Sequence, residues 1–256
     1  KHVPMVEANP LAGLANNVLG TSTLARAARE AGVDRFILIS SDKAVRPTNV
    51  MGASKRLAEL VVQDLAERSA GTIFAMVRFG NVLGSSGSVV PLFQDQIARG
   101  GPVTVTHKDV TRYFMTQQEA VRLVLRASTF ARGGEVFVLD MGVPVRIHTL
   151  ARHVIEASGY TVRDAANPEG DIEITITGLR PGEKLHEELL IDEGFLTTSH
   201  GKIFAAREAR LSEIEVASAL RSLREAVATA DDTAARAVIA RWVEGWPQEQ
   251  AGEGGA

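Results

Sequence analysis

The sequence predicts an α/β protein: the C-terminal part of a parallel sheet, a smaller α/β lobe, and closing helices. Three observations carry that reading. Apolar runs at residues 35–40, 72–83 and 135–140 have the length and composition of buried parallel strands. Apolar residues at helical spacing follow the first of these runs, as a strand-helix-strand crossover requires. At 256 residues and 45% hydrophobic content, the chain can form one sizeable core with a small lobe beside it.

The elements follow in order. Residues 10–31 carry Leu11, Leu14, Val18, Leu24 and Ala28 among small residues, a helical pattern that stops at Gly32. The strand at 35–40 is broken from the next helix by Pro47, and residues 50–69 resume helical spacing through Leu57, Leu60, Val61 and Leu65. The strand at 72–83 runs straight into Gly84-Ser85-Ser86-Gly87-Ser88. A helix to about residue 99, a short strand at 102–106 and a helix capped by Thr116 and Glu119 open the lobe. A strand at 135–140 and a helix marked by Ile147, Leu150, Ala151, Val154 and Ile155 follow. Ile172, Ile174 and Ile176 then alternate as a half-buried strand, and Pro181 favours a helix start before residues 185–190. Leu211, Ile214, Ala217, Leu220 and Leu223 recur every third residue, with Ser212 and Glu215 placed to cap. Divided this way, residues 1–90 form a partial sheet domain and 91–200 mainly the lobe, with some segments returning to the sheet. Residues 201–247 form the C-terminal helices, and 248–256 a polar, glycine-rich disordered tail.

Bulk chemistry excludes several functions. Twenty-eight basic against thirty-one acidic residues leave a formal charge of −3, too balanced to attract nucleic acid through its overall field. The absence of cysteine removes disulfides, thiolate metal sites and cysteine nucleophiles, and suits a reducing compartment. No apolar run is long enough to span a bilayer. The histidines show no metal-ligand spacing, so no metal site is expected.

Chemistry concentrates between Ser41-Asp42-Lys43 and Met51-Gly52-Ala53-Ser54-Lys55. Asp42 and Lys43 fall at the carboxyl end of the strand at 35–40, where open α/β sheets bind ligands. Met51 and Lys55, four apart on the following helix, share a face directed toward that strand end. An Asp-Lys pair after a strand is by itself an ordinary solvated turn; the Met-x-x-x-Lys helix downstream is what makes it a candidate site. Met51 is open to two readings, core packing or substrate contact. Gly84-Ser85-Ser86-Gly87 reads as a surface turn or, ahead of a helix, an anion-binding loop.

These residues resemble the extended short-chain dehydrogenase/reductases, and within them one branch. Asn49-Val50-Met51-Gly52-Ala53-Ser54-Lys55-Arg56 is similar to nucleotide-sugar 4,6-dehydratases of polysaccharide and flagellin-glycan biosynthesis, with Met51 at the catalytic tyrosine position. Asn16-Asn17-Val18-Leu19-Gly20-Thr21, Arg78-Phe79-Gly80-Asn81-Val82-Leu83-Gly84 with Ser88, Thr111-Arg112-Tyr113-Phe114-Met115 and Leu179-Arg180-Pro181-Gly182-Glu183-Lys184 extend the resemblance over residues 1–190. It implies a Rossmann-like fold, NAD as cofactor, and a UDP-sugar substrate, with UDP-N-acetylglucosamine expected. It implies Asp42 as acid, Lys43 as a base whose pKa burial would lower, and Ser41 near the sugar's C4 hydroxyl. Lys55 is expected on the nicotinamide ribose, with Asn17 and Ser40 also toward the cofactor. Asn81, Ser88, Arg112, Arg180 and Glu183 are expected to bind the nucleotide sugar, Arg180 on phosphate and Glu183 on the nucleoside ribose; a surface charge is the alternative for Arg112. A thioether cannot take the C4 hydroxyl proton, which leaves an ordered water or Asp42 for that step.

The glycine-rich dinucleotide fingerprint and its acidic ribose ligand are missing from these residues. An upstream Rossmann half is therefore expected in the intact protein, with a membrane-anchored region before it, and residues 1–256 alone are expected to bind NAD poorly. A cytoplasmic catalytic domain, at the inner membrane's cytoplasmic face where anchored, and a homo-oligomer complete the expectation. The rival functions are a nucleotide-sugar C4 or C5 epimerase and an inactive nucleotide-sugar-binding remnant.

Overall fold

A computed structural model describes residues 2–85, 87–188, 195–206 and 208–247. The chain opens with two short helices, α1 (Val3–Ala8) and α2 (Pro10–Leu14), a π-helical turn (Ala15–Gly20), and α3 (Thr21–Glu30). The helical pattern expected for residues 10–31 is thus present, widened by one π turn. Gly32, at φ +67°, closes α3 in the left-handed region that glycine adopts without strain.

Strand β1 (Arg35–Ile39) leads through a 3-10 turn (Asp42–Ala44) to α4 (Val50–Glu67), and β2 (Ile73–Arg78) follows. Next come β3 (Asn81–Val82), α5 (Val89–Ala98), β4 (Val103–Val105), β5 (Thr111–Arg112), β6 (Phe114–Met115) and α6 (Gln117–Phe130). The chain continues through β7 (Val136–Leu139), β8 (Val145–Arg146), α7 (Ile147–Ala157), β9 (Val162–Arg163) and β10 (Ile172–Ile176). It closes with β11 (Phe195–Thr197), β12 (Ile203–Ala206), α8 (Glu213–Ala228) and α9 (Asp232–Trp242).

The main sheet has the order β1-β2-β7-β12-β11. The first three strands run parallel, in register Ile37 to Ala75 and Val77 to Phe137, while β12 and β11 are antiparallel. Alternation along β2 sorts its side chains between two layers. Phe74 and Met76 face α4 and the C-terminal helices, whereas Ala75 and Val77 face α6. A second, three-stranded parallel sheet, β4-β10-β9, packs on α5 and α7 around Phe93, Ile97 and Ile155 and forms the lobe.

Three expectations change. The strand at 35–40 is expected to be buried, but within β1 only Leu38 is, with Ser40 just beyond it, because among the described residues β1 pairs with β2 alone and forms a sheet edge. The stretch expected to hold only C-terminal helices opens with β12, whose Ile203 completes the α6-side core. Residues 185–188 form no helix. Their backbone is committed elsewhere: the Leu185 carbonyl accepts from the Thr111 N–H and from Arg112, at 3.0 and 3.2 Å. The helices α8 and α9 pack directly on α4 and α2, with Val216, Leu220, Leu223 and Ile239 in the same core as Met51 and Leu57. The expected tail and residues 189–190 lie outside the described residues.

Candidate active site

The turn after β1 places the first candidates. Ser41 caps it, its hydroxyl accepting from the Lys43 N–H at 3.2 Å and donating to Asp42 Oδ1 at 2.9 Å. Lys43 Nζ also reaches Asp42 Oδ1, at 3.1 Å. Asp42 is buried, and its other oxygen, Oδ2, has no hydrogen-bond partner among the described residues. An unpaired buried carboxylate oxygen is costly, and such atoms concentrate where a ligand or a proton transfer is served.

Two glycines hold this turn against the rest of the molecule. A Cβ on Gly52 would stand 2.1 Å from the Lys43 carbonyl oxygen, so α4 reaches the turn only because that side chain is absent. Gly182, at φ +72°, would carry a Cβ 2.8 Å from the Thr48 carbonyl. Its own carbonyl accepts from Thr48 at 2.8 Å and from Asn49 at 3.2 Å. Asn49 in turn caps α4, accepting from the Gly52 N–H at 2.8 Å. Lys184 donates to the Val45 carbonyl at 3.0 Å. The segment after residue 180 is therefore clamped onto the loop between the Asp42–Ala44 turn and α4.

On α4, Met51 is 3% exposed and belongs to the main hydrophobic core. Lys55 extends to the carboxyl end of β1, donating to the Ile39 carbonyl at 3.2 Å. Asn17, from the π turn, donates to the Ser54 hydroxyl at 2.9 Å, tying the N-terminal helices to α4. Ser40 is buried at the end of β1, and its hydroxyl has no hydrogen-bond partner among the described residues.

A cleft of about 270 Å³ lies between the turn and the lobe. It is lined by Lys43 together with Asn81, Ser88, Arg112, Arg180 and Glu183, so all five residues expected to bind substrate meet at one opening. Ser88 stands at the N-terminus of α5, and its hydroxyl has no partner among the described residues. Asn81 donates to the Tyr113 carbonyl at 3.2 Å, across the β3–β6 pair. Glu183 accepts from Arg112 at 3.0 Å and from Thr106 at 2.9 Å. Arg180 is exposed at the rim, its N–H donating to Glu183 at 3.2 Å.

Two buried groups were missed from the sequence. Glu187, from the clamped segment, puts Oε1 3.5 Å from Lys43 Nζ and 3.7 Å from Arg112 Nε. Charges consequently alternate from Asp42 through Lys43, Glu187 and Arg112 to Glu183. Behind α4 lies a second, sealed set. Arg78 pairs with Glu59 at 2.5 Å and with Glu208, and Arg56 contacts Glu59 at 3.1 Å and Glu208 at 2.6 Å. No local pattern announces the links that join Glu187 to Lys43, or Arg78 and Glu208 to the Arg56–Glu59 pair, because those partners are far apart in sequence.

These neighbours decide the charge states. Burial alone would lower Lys43, but Asp42 and Glu187 outweigh it and raise the ammonium above its ordinary value. The expected lowering is thus reversed, because the turn surrounds the amine with carboxylates. Lys55 is the lysine that burial does lower, with Glu59 offsetting only part of the effect. Burial would push Glu59 up, yet Arg78 and Arg56 hold it below the usual carboxylate range.

The parallel sheet, the lobe and the strand-end site define a Rossmann-like α/β fold. The chain belongs to the polysaccharide biosynthesis protein family, whose model matches residues 1–208. It is 58% identical over 190 residues to the capsular polysaccharide biosynthesis protein CapD of Staphylococcus aureus, covering 74% of this chain and 31% of that protein. It is 37% identical over 195 residues to a UDP-glucose 4-epimerase of Rickettsia rickettsii, covering 75% of this chain and 54% of that one. The chain therefore spans about a third of the first relative and about half of the second. Among solved structures, Pen from Bacillus thuringiensis superposes with a TM-score of 0.69 at 34% identity, covering 83% of this chain and 65% of that one. The dTDP-glucose 4,6-dehydratase DesIV of Streptomyces venezuelae, bound to NAD, shares the fold with a TM-score of 0.62 at 22% identity, covering 74% of this chain and 61% of that one. Among the described residues, no helix is long and apolar enough to cross a membrane, and no cluster of metal-ligating side chains is present.

Proposed function

We propose that the intact protein dehydrates a UDP-hexose, with UDP-N-acetylglucosamine as substrate, to a 4-keto-6-deoxy sugar for surface polysaccharide synthesis. One observation carries the reading: Asp42 and Lys43 touch at 3.1 Å at a strand's carboxyl end, beside a cleft holding two arginines. That geometry suits an elimination needing an acid and a base side by side. Arginine also matches the geometry of phosphate oxygens.

Lys55 fits one end of a dinucleotide. Its amine sits at the carboxyl end of β1, where among the described residues its hydrogen-bond acceptor is the Ile39 carbonyl, and an ammonium can donate to both hydroxyls of a ribose. When bound, NAD would supply oxidation at C4, which acidifies the C5 proton. The residues of this chain then divide the elimination. Transfer of one proton along the Lys43–Asp42 contact converts ammonium and carboxylate into neutral amine and acid. The amine takes the C5 proton, the acid protonates the C6 hydroxyl, water departs, and a C5–C6 double bond forms; a proton given back to C5 by the Lys43 ammonium, with the hydride removed from C4 returned to C6, would complete the 4-keto-6-deoxy product. Ser41 stands beside this pair toward the sugar. Arg112 and Arg180 hold the diphosphate, Glu183 the nucleoside ribose, and Asn81 and Ser88 the rest of the nucleotide sugar. Met51, packed in the core, takes no proton; the C4 hydroxyl proton goes to Asp42 or to water.

The same reading places the catalytic part at the cytoplasmic face of a membrane as a homo-oligomer, anchored by a region outside this chain. A relative described as a membrane protein of Methanocaldococcus jannaschii, 51% identical over 195 residues, supports the anchoring.

The test is product analysis with the full-length protein, NAD and UDP-N-acetylglucosamine in deuterated water. A 4-keto-6-deoxy product with deuterium at C5 is expected by NMR. A 4-epimer carrying an intact C6 hydroxyl would replace dehydration with epimerisation, the activity named for the Rickettsia relative. Replacement of Lys43 by methionine should abolish C5 exchange while nucleotide-sugar binding persists.

A further inference from the structure

We propose that Glu187 is a positioning residue that sets the proton on Lys43 from across the cleft. The inference rests on the dehydratase reading for its catalytic meaning, but its physical content is a coupling between two side chains.

Glu187 is the buried carboxylate that the proposed elimination leaves unused. Its side chain is 4% exposed, and it is held by two cations, Lys43 at 3.5 Å and Arg112 at 3.7 Å. The groups facing Lys43 come from three places. Asp42 stands beside it on the same turn, Glu187 on the clamped segment, and Arg112 on β5. Lys184 and Glu188, also on the clamped segment, pair with each other at 3.1 Å and point their charges to the 45–46 loop. Asp42 hydrogen-bonds Lys43 at 3.1 Å and can exchange a proton with it directly. Glu187, at 3.5 Å, is a second anion that favours the ammonium and opposes the neutral amine that must act as base. Arg112 works in the other direction by drawing on the same carboxylate.

The chemistry follows from that competition. While Glu187 leans on Lys43, the lysine is charged and unreactive as a base. When Glu187 is taken by Arg112, the Lys43–Asp42 pair is left to itself and the neutral tautomer becomes accessible. The residue controlling the base thus lies on the segment that carries Arg180 and Glu183, so cleft and catalytic turn are joined by one carboxylate.

The experiment compares the full-length protein with its E187Q and E187D variants. Lysine labelled with 15N at Nζ is titrated by NMR, the Lys43 signal being assigned by its loss in K43R. The Lys43 pKa should fall by about one unit or more in E187Q. It should lie closer to wild type in E187D, which keeps the charge. In turnover, where the Lys43–Asp42 pair must keep its one shared proton, the alkaline limb of the pH profile of kcat/KM should move to lower pH in E187Q by a similar amount. An unchanged Lys43 titration in E187Q overturns the proposal. So does a raised KM with an unmoved pH profile, which would assign Glu187 to Arg112 alone. The NMR arm needs no turnover, so a protein that dehydrates no UDP-sugar would defeat the functional reading while leaving the Glu187 coupling decided separately.

Discussion

Two sets of alternating charges flank helix α4, and they behave differently because of what surrounds them. Behind the helix, Arg78, Glu59, Arg56 and Glu208 are sealed, with side chains 0–3% exposed and each charge answered by opposite charges. In front, Lys43, Glu187, Arg112 and Glu183 line the cleft, and Asp42, buried beside Lys43, has an Oδ2 with no partner among the described residues. Both use carboxylates against basic groups. The sealed set has no spare capacity and anchors α4 to β2; the open set has a free oxygen, a movable proton and a solvent-facing side. Saturation marks structure and incompleteness marks chemistry.

The comparison can be broken at the sealed set first. Replacing Glu59 by alanine leaves Arg78 and Arg56 with only Glu208 between them. Loss of a buried partner costs about 3–5 kcal/mol, and chemical denaturation should show a destabilisation of that size. A small change would mean that the sealed charges are solvated in solution, and the contrast with the cleft would collapse.

Gly52→Ala acts on the open set through the backbone. Its methyl cannot coexist with the Lys43 carbonyl, so either α4 or the catalytic turn must shift. Overpacking of this kind costs about 1–3 kcal/mol. The loss of turnover should exceed the loss of stability, because a displacement of the turn by about 1 Å can cost a hundredfold in rate. Equal losses in both measurements would show that Gly52 serves folding alone.

The smallest effect sharpens the electrostatic half of the contrast. Lys43 is held above its ordinary value in the fold. Its carboxylate contacts therefore stabilise the protein fully below the pKa of an unfolded lysine, about 10.4. That contribution is lost as pH rises through the folded value. The Tm difference between wild type and K43M should stay constant from pH 7 to 9 and narrow above about pH 10. A difference that narrows at lower pH would place Lys43 in a depressed state and remove the role assigned to Glu187.

Much of the site was legible in the chain. Asp42, Lys43 and Lys55 lie within fourteen residues and need only one strand, one turn and one helix to meet, so local periodicity was enough to bring them to a strand end. The conjunction of Asn81, Ser88, Arg112, Arg180 and Glu183 was reachable only through family resemblance, since nothing in their spacing brings β3, β5 and the segment after residue 180 to one cleft. Glu187 was passed over because a glutamate in a Glu-Glu pair, read locally, belongs to a solvated helix face. The helix expected there does not form, and its segment turns inward instead.

The sequence by itself determined the α/β class, the order of the main elements, and the identity of the strand-end turn, because these depend on short-range periodicity, capping and breaker residues. Tertiary structure alone decided the charge of Lys43. Desolvation and two carboxylates oppose each other there, and the balance depends on a 3.5 Å approach between residues 144 positions apart, which no local pattern encodes.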